Sequence, residues 1–119
     1  MAETGRSHGV VLEKMYRFQL WLIPTLEKFP RSQRFLLGDR MQTLAHDVLD
    51  GLIEATYSRE PLAALGAANL HLEKLRFMLR LARDLNHLDL RRYEFAADAL
   101  LEIGRLIGGW RKASHGKTG

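Results

Sequence analysis

The stretch Leu72-Glu73-Lys74-Leu75-Arg76-Phe77-Met78-Leu79-Arg80-Leu81-Ala82-Arg83-Asp84-Leu85 is apolar on more sides than a single helix pair can cover. On a helix, Leu65, Ala68, Leu72, Leu75, Leu79 and Ala82 recur at alternating spacings of three and four, the seam of a packed helix. Asn69, Glu73, Arg76, Arg80, Arg83 and His87 form a second stripe of the same period, and it carries three arginines. Leu70, Phe77, Met78, Leu81 and Leu85 fall on neither stripe. They need a third surface: further helices, another subunit, or both.

The same period recurs elsewhere. A first helix is predicted over 10–29, with Val11, Met15, Phe18, Leu22, Leu26 and Phe29 on one face and Pro24 bending its last turns. Phe29-Pro30-Arg31-Ser32 is a break, and Ser32 is the expected N-cap of a second helix over 33–58. That helix turns Leu37, Met41, Leu44, Val48, Leu52 and Ala55 inward. Glu60-Pro61 opens a third helix reaching Asn86, since proline fits a first turn. Asp89 then caps a fourth over 90–113, whose inward residues are Tyr93, Ala96, Ala97, Leu100, Ile103, Ile107 and Trp110. Gly104, Gly108 and Gly109 interrupt it, each at up to ~1 kcal/mol relative to alanine. Gly104 and Gly108 share a face and would admit a close backbone there. No strand pattern or repeat occurs. The expectation is an all-α, antiparallel up-down-up-down four-helix bundle over 10–113, between disordered segments 1–9 and 114–119.

Composition narrows the function. The 119 residues contain no cysteine, which leaves no disulfide framework or thiolate metal site and suits a reducing cytoplasm. No apolar run approaches the roughly 18 residues a membrane span needs, and residues 1–9 lack the apolar core of a signal peptide. The net charge of +4 is unevenly spread. Residues 1–60 carry eight basic and eight acidic side chains; residues 61–119 carry ten basic and six acidic. Thirteen of the eighteen cations are arginine, the side chain that holds phosphate in a bidentate fork.

Chemistry-bearing constellations are sparse. A di-iron bundle needs two Glu-x-x-His pairs and further carboxylates; this chain has only Asp84-x-x-His87, at a helix end. His46-Asp47 and His71 are isolated, and neither a Ser/His/Asp set nor a phosphate-binding glycine loop is present. No enzyme, cofactor, metal or small-molecule substrate is expected. The charges are better placed for a polyanion. Lys28, Arg31, Arg34 and Arg40 crowd the start of the second helix, while Asp47, Asp50 and Glu54 follow, an order that runs against the helix dipole. Arg76, Arg80 and Arg83 could bind phosphate or could pair, in reverse order, with Glu94, Asp98 and Glu102 of an antiparallel fourth helix. Arg91, Arg92, Arg105, Arg111, Lys112 and Lys117 have little acid nearby and make the better footprint. Leu70, Phe77, Met78, Leu81, Leu85, Phe95 and Leu106 cannot easily all point inward, which favours self-association.

Two segments together carry a resemblance. Leu75-Arg76-Phe77-Met78-Leu79-Arg80, followed by Glu102-Ile103-Gly104-Arg105-Leu106-Ile107-Gly108-Gly109-Trp110, resembles the accessory variability determinant proteins of diversity-generating retroelements. Phe29-Pro30-Arg31-Ser32-Gln33-Arg34-Phe35-Leu36-Leu37-Gly38-Asp39-Arg40 is similar to the helix break of that family and of the wider group that includes ribosomal intervening-sequence proteins. The resemblance covers about 12–112. It implies a homopentameric barrel of four-helix protomers with a basic surface and no catalytic site of its own. Such a protein binds the retroelement's reverse transcriptase and template RNA, with the cDNA as a further ligand, in support of adenine-mutating cDNA synthesis. On that reading the nucleic-acid candidates are Arg76, Arg80 and Arg105 within the motifs, with Arg83, Arg91, Arg92, Arg111, Lys112, Arg31 and Arg34 around them. The alternatives are an intervening-sequence-type bundle and a structural oligomer whose arginines form subunit salt bridges.

Overall fold

Four long helices take up the four periodic stretches in the computed structural model, which describes the backbone of residues 2–118 and the side chains of residues 8–115. They are α1 (Ala2–Glu27), α2 (Asp39–Tyr57), α3 (Leu62–Asp84) and α4 (Leu90–Thr118). Among the described residues there is no strand. Every residue assigned inward on the first three helices is buried, as are Ala96, Leu100, Ile103, Ile107 and Trp110 on α4. Tyr93 and Ala97 are only half-buried.

Helix α1 packs on α2 and α4, and α3 packs on the same two. The pairings run antiparallel. Between α1 and α4, His8 stacks on Trp110, Lys14 pairs with Glu102, and Trp21 packs on Phe95. Between α2 and α3, Asp47 faces His71 and Gly51 faces Ala68; between α3 and α4, Leu72 lies by Gly104 and Arg83 by Tyr93. The result is a bundle with extents of 48 × 22 × 20 Å. One end holds the α1–α2 break and the α3–α4 turn, here called the turn end. The other holds the α2–α3 turn, where α1 begins and α4 finishes.

The break departs from expectation. Ser32 does not cap a helix: Pro30 does, its carbonyl accepting from the N–H groups of Gln33 (2.8 Å) and Arg34 (3.1 Å). After one short helical turn (Arg31–Gln33) the chain widens into a π-helical turn, Arg34–Gly38, in which the Asp39 N–H donates to the Arg34 carbonyl five residues back. Gly38 is buried in this wide turn, facing Leu26 of α1. The signals at the α2–α3 and α3–α4 turns hold to within a residue or two, whereas α1 begins at Ala2 rather than 10 and α4 runs to Thr118 rather than 113. Pro61 is the N-cap of α3, its carbonyl accepting from Leu65 N–H at 2.9 Å. At the other end of α3, His87 N–H donates to the Ala82 carbonyl and Asn86 N–H to that of Arg83, both at 2.9 Å, with Asn86 at φ 64°. This is a Schellman cap, and asparagine is among the few side chains that tolerate its left-handed residue. Much of the two segments expected to be disordered, 1–9 and 114–119, lies outside the described side chains.

The close approach expected at Gly104 and Gly108 falls elsewhere. A Cβ at Gly104 would meet only Leu72 Cδ2, at 3.4 Å, and one at Gly108 would meet nothing within 4 Å. A Cβ at Gly51 would stand 3.0 Å from Ala68 Cβ and 3.2 Å from the Ala64 carbonyl, so α2 and α3 touch through backbone there. Gly51→Val should lower stability by about 1–3 kcal/mol through overpacking. Gly108→Ala should raise it by up to ~1 kcal/mol through helix propensity. Urea unfolding followed by circular dichroism reads both, and the two midpoints should move in opposite directions.

Candidate nucleic-acid interface

The bundle's topology gathers cations at the turn end from segments far apart in sequence. The α1–α2 break supplies Lys28, Arg31, Arg34 and Arg40, and the α3–α4 turn supplies Arg83, Arg91 and Arg92. The two segments meet. The Phe29 and His87 rings lie 5.7 Å apart, and a cleft of about 410 Å³ has Thr25 and Lys28 on one side and Asn86, His87, Asp89 and Arg92 on the other. Seven Lys and Arg residues stand here against four acids, Glu27, Asp39, Asp84 and Asp89, an excess of three. Asp84 holds Arg83 (3.3 Å), Asp89 holds Arg92 (2.6 Å), and Arg34 Nε donates to the Phe29 carbonyl (3.1 Å). Among the described residues Lys28, Arg31, Arg40 and Arg91 are exposed and form no ion pair. They are the cations free to meet a phosphate.

The remaining candidates lie elsewhere. Arg76 and Arg80 line the groove between α3 and α4 with Glu73, Phe77 and Tyr93. Glu73 of the same helix holds Arg76 at 2.9 Å, and the Arg83 guanidinium carbon sits 5.0 Å from the centre of the Tyr93 ring. Pairing with Glu94, Asp98 and Glu102 does not occur. Residues four apart drift by about 40° around a helix at each step, so the stripe winds away from α3. Its last member, Glu102, pairs with Lys14 of α1 at 3.1 Å. Arg105 is exposed on α4, and Arg111 and Lys112 stand near the opposite end of the bundle. Arg91 and Arg111, both on α4, are about 30 Å apart at 1.5 Å per residue. The cations of the turn and of the C-terminus are therefore two footprints.

The apolar candidates also divide. Leu70, Phe77, Leu81 and Leu85 are exposed along the side of α3 turned away from its seam. Met78 and Leu106 are half-buried against the core, and Phe95 packs on Trp21 in the groove between α1 and α4. Residues not singled out in the sequence add two patches. Tyr16 and Leu20 of α1 and Ile53 of α2 are exposed away from α3, and Phe35 and Leu36 are exposed on the π-helical turn. Their position off the seams was the one signal that could have marked them.

The profile of one family, described as bAvd-like, matches residues 9–114, which is nearly all of the bundle. The chain belongs to the bAvd-like family. No curated protein matches it. Families of this accessory-determinant type are accessory rather than catalytic. In this bAvd-like chain the Asp84-x-x-His87 pair is not convergent, since Asp84 takes Arg83 and His87 takes Phe29. Among the described residues no three His, Asp or Glu side chains gather as metal ligands, and no helix is long and apolar enough to cross a membrane.

One titratable group at the bAvd-like turn end is perturbed. The Asp89 carboxyl lies below the usual carboxylate value, chiefly because it accepts the Arg92 backbone N–H at 2.8 Å; desolvation, next in size, opposes this, and the Arg92 side chain and the Arg91 charge add to the lowering. A depressed folded-state pKa adds stability above the unfolded value, and that gain is lost as pH falls through the folded value. Asp89→Ala should therefore lower the urea midpoint near neutral pH, with the gap to the parent closing in acid. Paired urea titrations across that range measure it.

Proposed function

We propose that this protein is the non-catalytic accessory subunit of a diversity-generating retroelement. It binds the reverse transcriptase and template RNA in the cytoplasm and supports mutagenic cDNA synthesis as a homo-oligomeric ring, a pentamer in the family pattern. The observation that carries the reading is the turn end: exposed cations without internal partners, on a chain of the bAvd-like family. Arginine and lysine side chains there release counterions from phosphates and read little base sequence. The self-association part rests on the two lateral apolar faces. Leu70, Phe77 and Leu81 lie on α3, and Tyr16, Leu20 and Ile53 on the α1–α2 side. Helices α1 and α3 are diagonal in the bundle, so these are unlike surfaces on different sides. Unlike surfaces that meet head to tail give rings where the rotation closes, and do not give two-fold dimers.

Arg31→Glu combined with Arg91→Glu should weaken binding to structured RNA by on the order of tenfold or more at physiological salt. It should also flatten the slope of log affinity against log salt by about 2. Arg111→Glu with Lys112→Glu should do less. Anisotropy titrations over a salt series measure both, and parent affinity that does not change with salt would overturn the electrostatic mechanism. Phe77→Glu should reduce the assembly's mass in light scattering while leaving the helical dichroism intact. An unchanged mass would remove the α3 face from the interface.

A further inference from the structure

The π-helical turn presents an exposed aromatic ring close to free cations. Phe35 is 70% exposed and Leu36 68%, while Leu37 beside them is buried. One turn before Phe35 is Arg31 and one turn after Leu36 is Arg40, both exposed and neither in an ion pair among the described residues. Asp39 is the acid on the same segment, and Lys28 stands just before it. The segment is held in place. Pro30 caps its start, Arg34 is tied to the Phe29 carbonyl at 3.1 Å, Phe29 is buried, and Gly38 lies against α1. A ring on so fixed a support loses little freedom when something stacks on it. π-Helical turns often occur at functional sites for such reasons.

We infer that Phe35 is a stacking platform for an unpaired nucleobase, with Arg31, Arg40 and Lys28 holding the adjoining phosphates. This makes the turn end a binder of single-stranded RNA. The inference rests on the RNA-binding reading above and adds a preference among RNA structures. Charge and area favour this occupant. A protein partner of ordinary size covers about 800 Å² per side, and an apolar patch of two side chains edged by cations is a poor start for one. A single exposed ring is sufficient for a base, because every base has a π-face. In a duplex the base faces are stacked on each other and closed to a side chain, and the A-form major groove is too deep and narrow to read. Cations alone bind both forms; the ring discriminates.

The test is anisotropy with the full-length protein on two labelled probes: an oligouridine of about 12 nucleotides, a length spanning a typical single-strand site, and a blunt RNA duplex. Phe35→Ala should weaken oligouridine binding by on the order of tenfold and leave duplex binding within about twofold. The salt slope should be unchanged, because no phosphate contact is removed. Phe35→Trp should restore the affinity. Equal effects of Phe35→Ala on both probes, or none on either, would overturn the inference while leaving RNA binding standing. Loss of reverse-transcriptase capture with oligouridine binding intact would also overturn it and assign the patch to the protein partner. If the parent protein bound neither probe, the RNA-binding reading itself would fail, and with it this one.

Discussion

The contact of Gly51 with Ala64 and Ala68 sets the rotation of α3, and most of what the surface offers follows from that rotation. A Cβ at Gly51 would stand 3.0 Å from one at Ala68, so the small-residue side of α3 must face α2. With 3.6 residues per turn the rest of α3 is then assigned. Leu65, Leu72, Leu75 and Leu79 enter the core, and Arg76 and Arg80 turn toward α4. Leu70, Phe77 and Leu81 are left pointing out. A four-helix bundle covers only one broad face of each helix. A helix with apolar residues on two opposite sides must place one of them at the surface, and the usual meaning of such a surface is a partner.

Helix dipoles at the turn end show that its cations are not there for local stability. The end collects the C-termini of α1 and α3, where positive charge is favoured, and the N-termini of α2 and α4, where it is not. Arg83 sits at the favourable end of α3 and is the one arginine there both paired and stacked. Arg91 and Arg92 occupy the first turn of α4, and Arg31 and Arg34 the first turn of the helical run that continues through the π-helical turn into α2, all against the dipole. Asp89 offsets part of the charge at α4, both as N-cap acceptor and as the partner of Arg92. Arg31 and Arg40 form no ion pair with any described side chain, and Arg91 feels the Asp89 charge without pairing to it. Residues that oppose their own helix and form no ion pair inside the chain suit the external anion of the proposed function.

The seams were legible because burial on a helix recurs at fixed spacing, and each of the four needed only its own segment to be read. The helix starts at Pro61 and Asp89 were legible for the same reason, as local chemistry. Three features were not. The π-helical turn differs from an α-helix by a single residue per hydrogen-bonded loop, and nothing in Arg34-Phe35-Leu36-Leu37-Gly38 marks that choice. The partner of Glu102 depends on how α4 is rotated against α1, so the match with the α3 arginines, plausible from spacing, dissolves into a bond with Lys14. The outer helix ends are the third: α1 begins at Ala2 and α4 runs on to Thr118, five residues past the expected end, although the expected helix over 90–113 already set Arg91 and Arg111 at opposite ends.

That separation gives the molecule a division of labour along its 48 Å length. The apolar faces of α3 and of the α1–α2 side lie on the long flanks, and the free cations of the break and the α3–α4 turn lie at one tip. A proposed ring closed through the flanks leaves every tip uncovered. Rotational symmetry then relates the tips, so each protomer's small charge excess becomes one member of a repeated array. A single tip offers a phosphate chain few contacts, and salt screens them heavily. Several tips held on one scaffold turn later contacts into intramolecular events, and affinity rises without any new kind of interaction. A weakly basic protomer is sufficient for tight RNA binding under that arrangement, and assembly rather than protomer charge then sets the affinity.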